Sequence, residues 1–356
     1  MYPPLACPFC HRTVSQRDQA FICPECNRSY PIYDGVPDFS TWSHYWNQVS
    51  PEQMLAILEA AKTHGYRYAV EKLLTAFTSP YMAGYVLGES RADFRCLLPI
   101  TRTSSVLDLG AGWGAVSCTL APITGTVAAV DTNPHTLRFV RIRAQQSGIG
   151  NLQPIRIDPL DDGRLPFPDD TFDIAIMNGV LEWVGEASAE VPPSQAQMRC
   201  LQEVRRILKP RGTLFVGIEN RYGFGYFLGA RDHSRVPYTS LMPRPVANAF
   251  TYLLRSRPYR TYTYSLRGYR RLLNEAGFAD PEPYIALPSY RDPEYILPAD
   301  DDRAIAFLIQ RRSAHVVDRV RRRILSALFH PGRTAMGCKL LRAFSDSFLL
   351  IAEAAK

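Results

Sequence analysis

The chain has 356 residues, 46% of them hydrophobic and 21% charged, with a formal net charge of +7. That composition excludes a disordered or fibrous polymer, and the length suffices for two domains with extensions. No run approaches the about 20 consecutive apolar residues of a membrane-spanning helix, and the opening MYPPLACPFC lacks a basic stretch followed by an apolar one, so a cytoplasmic location is expected. Charge is uneven: residues 199–356 hold 27 Lys+Arg against 14 Asp+Glu, and residues 1–198 hold 14 against 20. The basic residues are almost all Arg and widely spread, which reads as a solvated Arg-rich half before it reads as a nucleic-acid or membrane face.

Four of the eight cysteines form two CxxC pairs, Cys7/Cys10 and Cys23/Cys26, with 12 residues between the pairs. Two such turns close a tetrahedral thiolate site suited to Zn2+ in a reducing compartment. A segment of about 40 residues cannot bury enough apolar surface to fold unaided, so the metal is expected to be structural and to supply most of the folding free energy. After the second pair stands NRSYPIYDGVPD at 27–38, a short strand and turn. With these residues the segment 5–39 resembles the Trm112-type zinc ribbon family. The resemblance implies an accompanying methyltransferase and makes a partner protein on the ribbon possible.

From 41 to about 100 apolar residues recur at helical spacing (Met54, Leu55, Leu58, Ala61; Leu73, Leu74, Phe77), interrupted by Pro51 and Pro80. Two or three helices capping the next domain are expected. Residues 104–115, SSVLDLGAGWGA, then read as a strand running into a glycine turn and a helix. Gly110, Gly112 and Gly114 let the backbone approach a ligand at the helix N-terminus, with Ala111 between them. Gly110, Gly112 and Ala115 also satisfy a dinucleotide fingerprint, so the neighbours decide.

Those neighbours are carboxylates. Asp108 precedes the first glycine by two residues, where it can pair with the ammonium of S-adenosylmethionine, a cation that a dinucleotide lacks. Asp131, followed by Thr132, ends the next strand and suits the ribose hydroxyls; Asp158 ends a third strand and suits the adenine amino group. Helix N-cap or turn roles are the bland alternatives, and the order and spacing favour the cofactor. The phrase LPFPDDTFDIAIMNGVLEWV at 165–184, with the glycine loop and LKPRGTLFVGI at 208–218, closely resembles class I methyltransferases of the type 11 group over residues 106–220. The resemblance implies S-adenosylmethionine as cofactor, with Asn178, Gly179 and Val180 flanking its sulfonium and Asp158, Pro159 and Leu160 bordering its adenine.

Methyl transfer is an in-line displacement in which positioning supplies much of the rate, and a hydroxyl acceptor also wants a base. The loop at 178–181, NGVL, is not the Asn/Asp-Pro-Pro-Tyr/Phe of amino-group methylation and holds no nucleophilic cysteine. Beyond the fifth strand, ENRYGFGYFLGARDHS at 219–234 is an insertion placed to receive the acceptor. Asp232 and His233 are expected as base and orienter, with Glu219, Glu182 and Tyr222 as alternates. This phrase resembles bacterial methyltransferases of glycan and cell-surface polysaccharide pathways, which implies a sugar or other hydroxyl acceptor.

The expected architecture is α/β, a Rossmann-like doubly wound seven-stranded methyltransferase sheet with a small N-terminal zinc ribbon and helical insertions. Its parts are a ribbon (1–40), a helical cap (41–100), the cofactor core (101–220), an acceptor insertion (221–262) and the rest of the fold (263–356). Residues 265–276 read as a helix, 284–287 as strand six, and either 304–309 or, preferably, 347–352 as strand seven. The stripe Val316, Val317, Val320, Ile324 and Leu328 opposite Arg319, Arg322 and Arg323 reads as packing on the core, with peripheral membrane contact as the alternative. The leading function is O-methylation of a sugar, glycan precursor or small metabolite. The alternatives are tRNA or rRNA methylation, to which RSRPYRTYTY at 255–264 would lend a surface, and a non-catalytic binding subunit.

Overall fold

The computed structural model describes residues 3–42, 48–162, 164–187, 190–314 and 334–355. At the N-terminus β1 (Ser15–Arg17), β2 (Ala20–Ile22), β3 (Ser29–Tyr33) and β4 (Val36–Pro37) form an antiparallel meander. Alternation along β3 turns Tyr30 and Ile32 inward, and Asp34 and Gly35, both at positive φ, make the turn into β4. Leu5, Phe21, Tyr30, Ile32 and Phe39 are buried in one cluster with Leu165 and Phe167 of the following domain, so the ribbon shares its core with that domain.

The helix Pro51–His64 starts with Pro in its first turn and a capping box in which Ser50 and Gln53 satisfy each other's backbone N–H groups. A helical run through a π segment (Ala69–Leu74), a helix (Tyr81–Leu87) and a 3-10 stretch (Glu89–Leu97) follows. Met54, Ile57, Leu74 and Val86 from these elements pack on Trp113 and Phe139 beside the glycine turn.

The main sheet consists of β5 (Ser105–Leu109), β6 (Thr126–Asp131), β7 (Leu152–Arg156), β8 (Phe172–Asn178), β9 (Leu208–Glu219), β10 (Glu282–Leu287), β11 (Tyr295–Pro298) and β12 (Ser347–Glu353), in the order β11-β10-β12-β9-β8-β5-β6-β7. From β7 to β9 all pairings are parallel; β12, β10 and β11 join antiparallel. Helices on both faces explain why β5 and β8 are near-continuous apolar runs. The doubly wound expectation thus holds, with an eighth strand: the chain leaving β10 folds back as β11 in a hairpin. Strand seven is Ser347–Glu353, while Asp302–Ala314 is a helix. The third strand ends at Arg156, two residues before Asp158. The stripe from Val316 to Leu328 and Arg319, Arg322 and Arg323 lie outside the described residues.

From β5 the chain adds β6 and β7 on one side and then returns to add β8 and β9 on the other, and open α/β sheets bind ligands in the crevice above such a switch point.

Candidate functional site

At the end of β5 the backbone turns through Gly110, Gly112 and Gly114, all at positive φ. At Gly110 a Cβ would stand 2.5 Å from Val180 Cγ2, so Val180 from the loop after β8 closes directly on this turn. Around Gly112 a Cβ would meet nothing within 4 Å, which leaves open space beside the turn. The Gly112 N–H donates to Asp131 Oδ2 (2.8 Å) and the Asn133 N–H to Asp131 Oδ1 (2.9 Å), fixing that carboxylate at the end of β6. Ala111 donates its N–H to Val130 O (3.0 Å), and the Thr132 carbonyl accepts from Arg156 Nε (3.0 Å).

Asp108 is 2% exposed and accepts a hydrogen bond from the Ser117 hydroxyl. Burial pushes its carboxyl up to about 6, although the Ser117 bond and the Arg91 charge pull the other way. Arg91 is a site residue that sequence reasoning missed. It is buried, its guanidinium lies 4.0 Å from the centre of the Tyr85 ring, and its Nη1 has no hydrogen-bond partner among the described residues. No spacing singles it out in the sequence, since only the fold brings the 3-10 stretch over β5. Asn178 donates to Arg91 O (3.2 Å), and its own buried Oδ1 has no partner.

The structure gives Asp158 a different neighbourhood from the one expected. Its Oδ1 accepts from Ser40 Oγ (2.8 Å), Thr41 N (2.7 Å) and Trp42 N (2.9 Å), and its Oδ2 from Thr41 Oγ1 (3.1 Å). The carboxylate therefore clasps the chain leaving the ribbon, with Pro159 half-buried next to it.

On the other side of the switch point, His233 Nε2 sits 3.1 Å from Glu219 Oε2 at the end of β9 and 3.6 Å from Glu182 Oε1 in the loop after β8. The His233 ring packs on Trp183 at 4.4 Å. Arg291 donates to Glu219 Oε1 (2.8 Å) and to the Tyr290 hydroxyl (3.2 Å). Against the opposing push of burial, the hydrogen bonds to Glu182 and Glu219 raise His233 to about 10. Burial likewise opposes the shift of Glu219, which His233 and Arg291 hold down at about 2. Burial and the Glu219 charge push Glu182 up, and its Oε2 is buried with no hydrogen-bond partner among the described residues. A carboxyl raised in this way, next to a protonated imidazole and an ionised carboxylate, is suited to receiving a proton.

Asp232 does not orient His233, contrary to expectation. Its Oδ1 accepts from Ser234 N (2.9 Å) and its Oδ2 from Thr239 Oγ1 (2.9 Å) and Tyr259 OH (3.1 Å), so it braces the insertion while Glu219 and Glu182 take the imidazole. Tyr222 is partly exposed beside Arg221. Tyr290 and Arg291 were not legible in the sequence, because they enter from the loop after β10. The aromatic-basic stretch 255–264 is largely consumed internally: Arg244 lies 4.0 Å from the Tyr262 ring centre, Tyr259 is buried, and Arg260 donates to Gly185 O and Val191 O (both 2.5 Å).

In the ribbon, Sγ atoms of Cys7 and Cys26 are 3.5 Å apart, Cys10 and Cys23 3.5 Å, and Cys10 and Cys26 3.9 Å. Four sulfurs at about 2.3 Å from a tetrahedral Zn2+ stand about 3.8 Å from one another, so the donor set fits that ion. The Tyr30 hydroxyl, 3.0 Å from Cys7 Sγ, supplies an outer-shell hydrogen bond.

Residues 107–216 match the methyltransferase domain family, and residues 3–35 match the Trm112p-like protein family. A demethylmenaquinone methyltransferase of Tropheryma whipplei (strain Twist) is 33% identical over 120 residues, covering 34% of this chain and 44% of that protein. The chain thus spans less than half the length of this relative. Among solved structures, the complex of the Haloferax volcanii Trm112 methyltransferase activator with a methyltransferase aligns over 84% of this chain and 98% of that one, at 17% identity and a TM-score of 0.42. A SAM dependent methyltransferase from Aquifex aeolicus aligns over 76% and 92%, at 14% identity and a TM-score of 0.41. Residues 107–216 are thus similar to the methyltransferase domain family and residues 3–35, in the same polypeptide, to Trm112p-like proteins.

Proposed function

We propose that this chain transfers the methyl group of S-adenosylmethionine to a hydroxyl of a sugar, glycan precursor or small metabolite. The observation that carries the reading is the convergence of Asp108, the Gly110–Gly112 turn and Asp131 at the switch point of a domain that matches methyltransferases. In this reading S-adenosylmethionine supplies an electrophilic methyl on a sulfonium. Asp108 would pair with its ammonium, Arg91 Nη1 with its carboxylate and Asp131 with its ribose, while Asn178 and Val180 would flank the sulfonium and Pro159 would border the adenine. Glu182 would take the proton of the acceptor hydroxyl. His233, held between the two glutamates, positions Glu182.

The four cysteines of the ribbon are proposed to hold a structural Zn2+, with no open coordination position. The ribbon packs on the rest of this chain: Ala6 N–H donates to Pro166 O (2.9 Å) and Arg141 to Gly35 O (2.8 Å). No helix among the described residues is long and apolar enough to cross a membrane. Cys96, Cys118, Cys200 and Cys338, outside the ribbon, form no disulfide among the described residues, which supports a reducing, cytoplasmic setting.

The test is calorimetric titration of the zinc-loaded protein with S-adenosylmethionine and, in parallel, NAD, for wild type and Asp131→Ala. Binding of the first alone, weakened by the substitution, is the expected result and opens an acceptor screen over glycans and RNA. Failure to bind, or preference for NAD, overturns the reading.

A further inference from the structure

The insertion at 221–262 is polarised in a way that neither the sheet nor the cofactor site requires. It contains seven arginines and a single acid, Asp232, with no lysine or glutamate. Arg221, Arg244 and Arg260 are spent inside the protein on backbone carbonyls, and Asp232 on Thr239 and Tyr259. What remains at the surface is cationic: Arg231, Arg235 and Arg255 are exposed and form no ion pair among the described residues.

The same insertion exposes its apolar side chains. The helix Arg244–Arg255 presents Val246, Leu253 and Leu254 at i, i+7 and i+8, one face of a helix, with Leu253 79% exposed. The short helix Phe224–Phe227 exposes both its terminal rings and is followed by Leu228, 71% exposed. The 3-10 turn Thr239–Leu241 packs on both helices and ties them together. Folding leaves these side chains in water, although scattered leucines on a soluble surface are normally far less exposed as a group.

We propose that this insertion docks on the surface of an anionic phospholipid membrane. Aliphatic and aromatic side chains on one helical face, bordered by arginines without acids, are what an interfacial helix needs to sink into the headgroup region while pairing with lipid phosphates. The alternatives fit less well. A second copy would bring the same unpaired arginines together, and an RNA strand would leave Leu253 and Leu228, the most exposed side chains here, without an apolar partner. The proposal stands apart from the methyl-transfer reading, because binding is measured without turnover.

The experiment is co-sedimentation of the full chain with phosphatidylcholine vesicles and with mixed phosphatidylcholine–phosphatidylglycerol vesicles. The wild type is expected to bind the mixed vesicles about tenfold more tightly, with the preference falling as salt rises. The double variant Leu253→Glu/Leu254→Glu, at exposed positions, should keep the wild-type melting temperature and lose about tenfold or more of the binding. Arg235→Glu/Arg255→Glu should abolish the preference for phosphatidylglycerol. Any of four results overturns the proposal: no binding to either vesicle, equal binding by the variants, burial of the leucines in a solution dimer, or tight binding of single-stranded RNA that vesicles do not displace.

Discussion

Arg156, the last residue of β7, meets Asp38 of the ribbon at 2.8 Å, with side chains only 14% and 9% exposed. The same guanidinium donates to Trp42 O (2.5 Å) and Thr132 O (3.0 Å), so one side chain joins the ribbon, the chain leaving it and the end of the cofactor sheet. Arg156→Ala leaves the Asp38 carboxylate buried without its partner and should cost about 2–4 kcal/mol in urea unfolding of the zinc-loaded protein. An unchanged midpoint would mean that water replaces the guanidinium at no cost.

Metal removal should act beyond the ribbon. Phe21, Tyr30 and Phe39 belong to the core cluster that also contains Phe167, so loss of the Cys7/Cys10/Cys23/Cys26 site opens the flank of the methyltransferase domain. Chelator treatment or Cys23→Ser is expected to lower the thermal midpoint of the whole chain and raise binding of an apolar dye. Two separate transitions, the later one unmoved, would contradict this coupling.

Gly110→Ala places a methyl against Val180 at a backbone φ of 74°. The strain should destabilise the protein by about 1–3 kcal/mol and weaken S-adenosylmethionine binding in calorimetry. Val180→Ala in the same chain should restore part of the loss, because it removes the collision and leaves the strain.

The raised His233 sets a sign for pH dependence. A histidine held at about 10 in the fold stabilises it fully below its unfolded value of about 6.5, and the contribution is lost as pH rises through about 10. The stability difference between wild type and His233→Asn should therefore shrink steadily from pH 7 to above 10 in denaturant titrations. A difference that stays constant over that range would show that the imidazole is not held charged. On the acid side, Glu219, held at about 2, loses its contribution as pH falls from about 4.5 through about 2.

Glu182→Gln removes the proposed proton acceptor and should reduce methyl transfer by about 10²–10⁴-fold with cofactor affinity retained. Asp232→Asn should instead loosen the insertion without moving the pH profile of the rate. Equal loss in both variants would point to a common structural role.

The sequence was most informative where chemistry and local geometry coincide. Cys7, Cys10, Cys23 and Cys26 come together as their spacing predicts, and Asp108, Gly110, Gly112 and Asp131 do so because a strand end, a turn and a helix start follow one another in the chain. The acceptor side is assembled differently. Glu182, Glu219, His233 and Arg291 come from four separate parts of the chain, so the sequence pairs His233 with a mistaken companion: its neighbour Asp232 turns into the insertion, and the partner is a strand-end residue 14 positions earlier. Arg91 and Tyr290 had no local signal. Asp158 was placed next to the cofactor by order along the chain, yet its carboxylate is claimed by residues 40–42, a pairing that no spacing reveals.

β7 is the last strand of the main sheet, and at its end the Phe39 N–H donates to Arg156 O (2.9 Å) while Asp38 bridges Arg156 in parallel. A sheet edge left open offers its backbone groups to any other strand, and here the ribbon stands in the way. Fusion of the two parts makes that guard stoichiometric: every sheet is synthesised with its own cover already attached. Loosening of the ribbon would then bare the end of β7, a matter of solubility and not of chemistry.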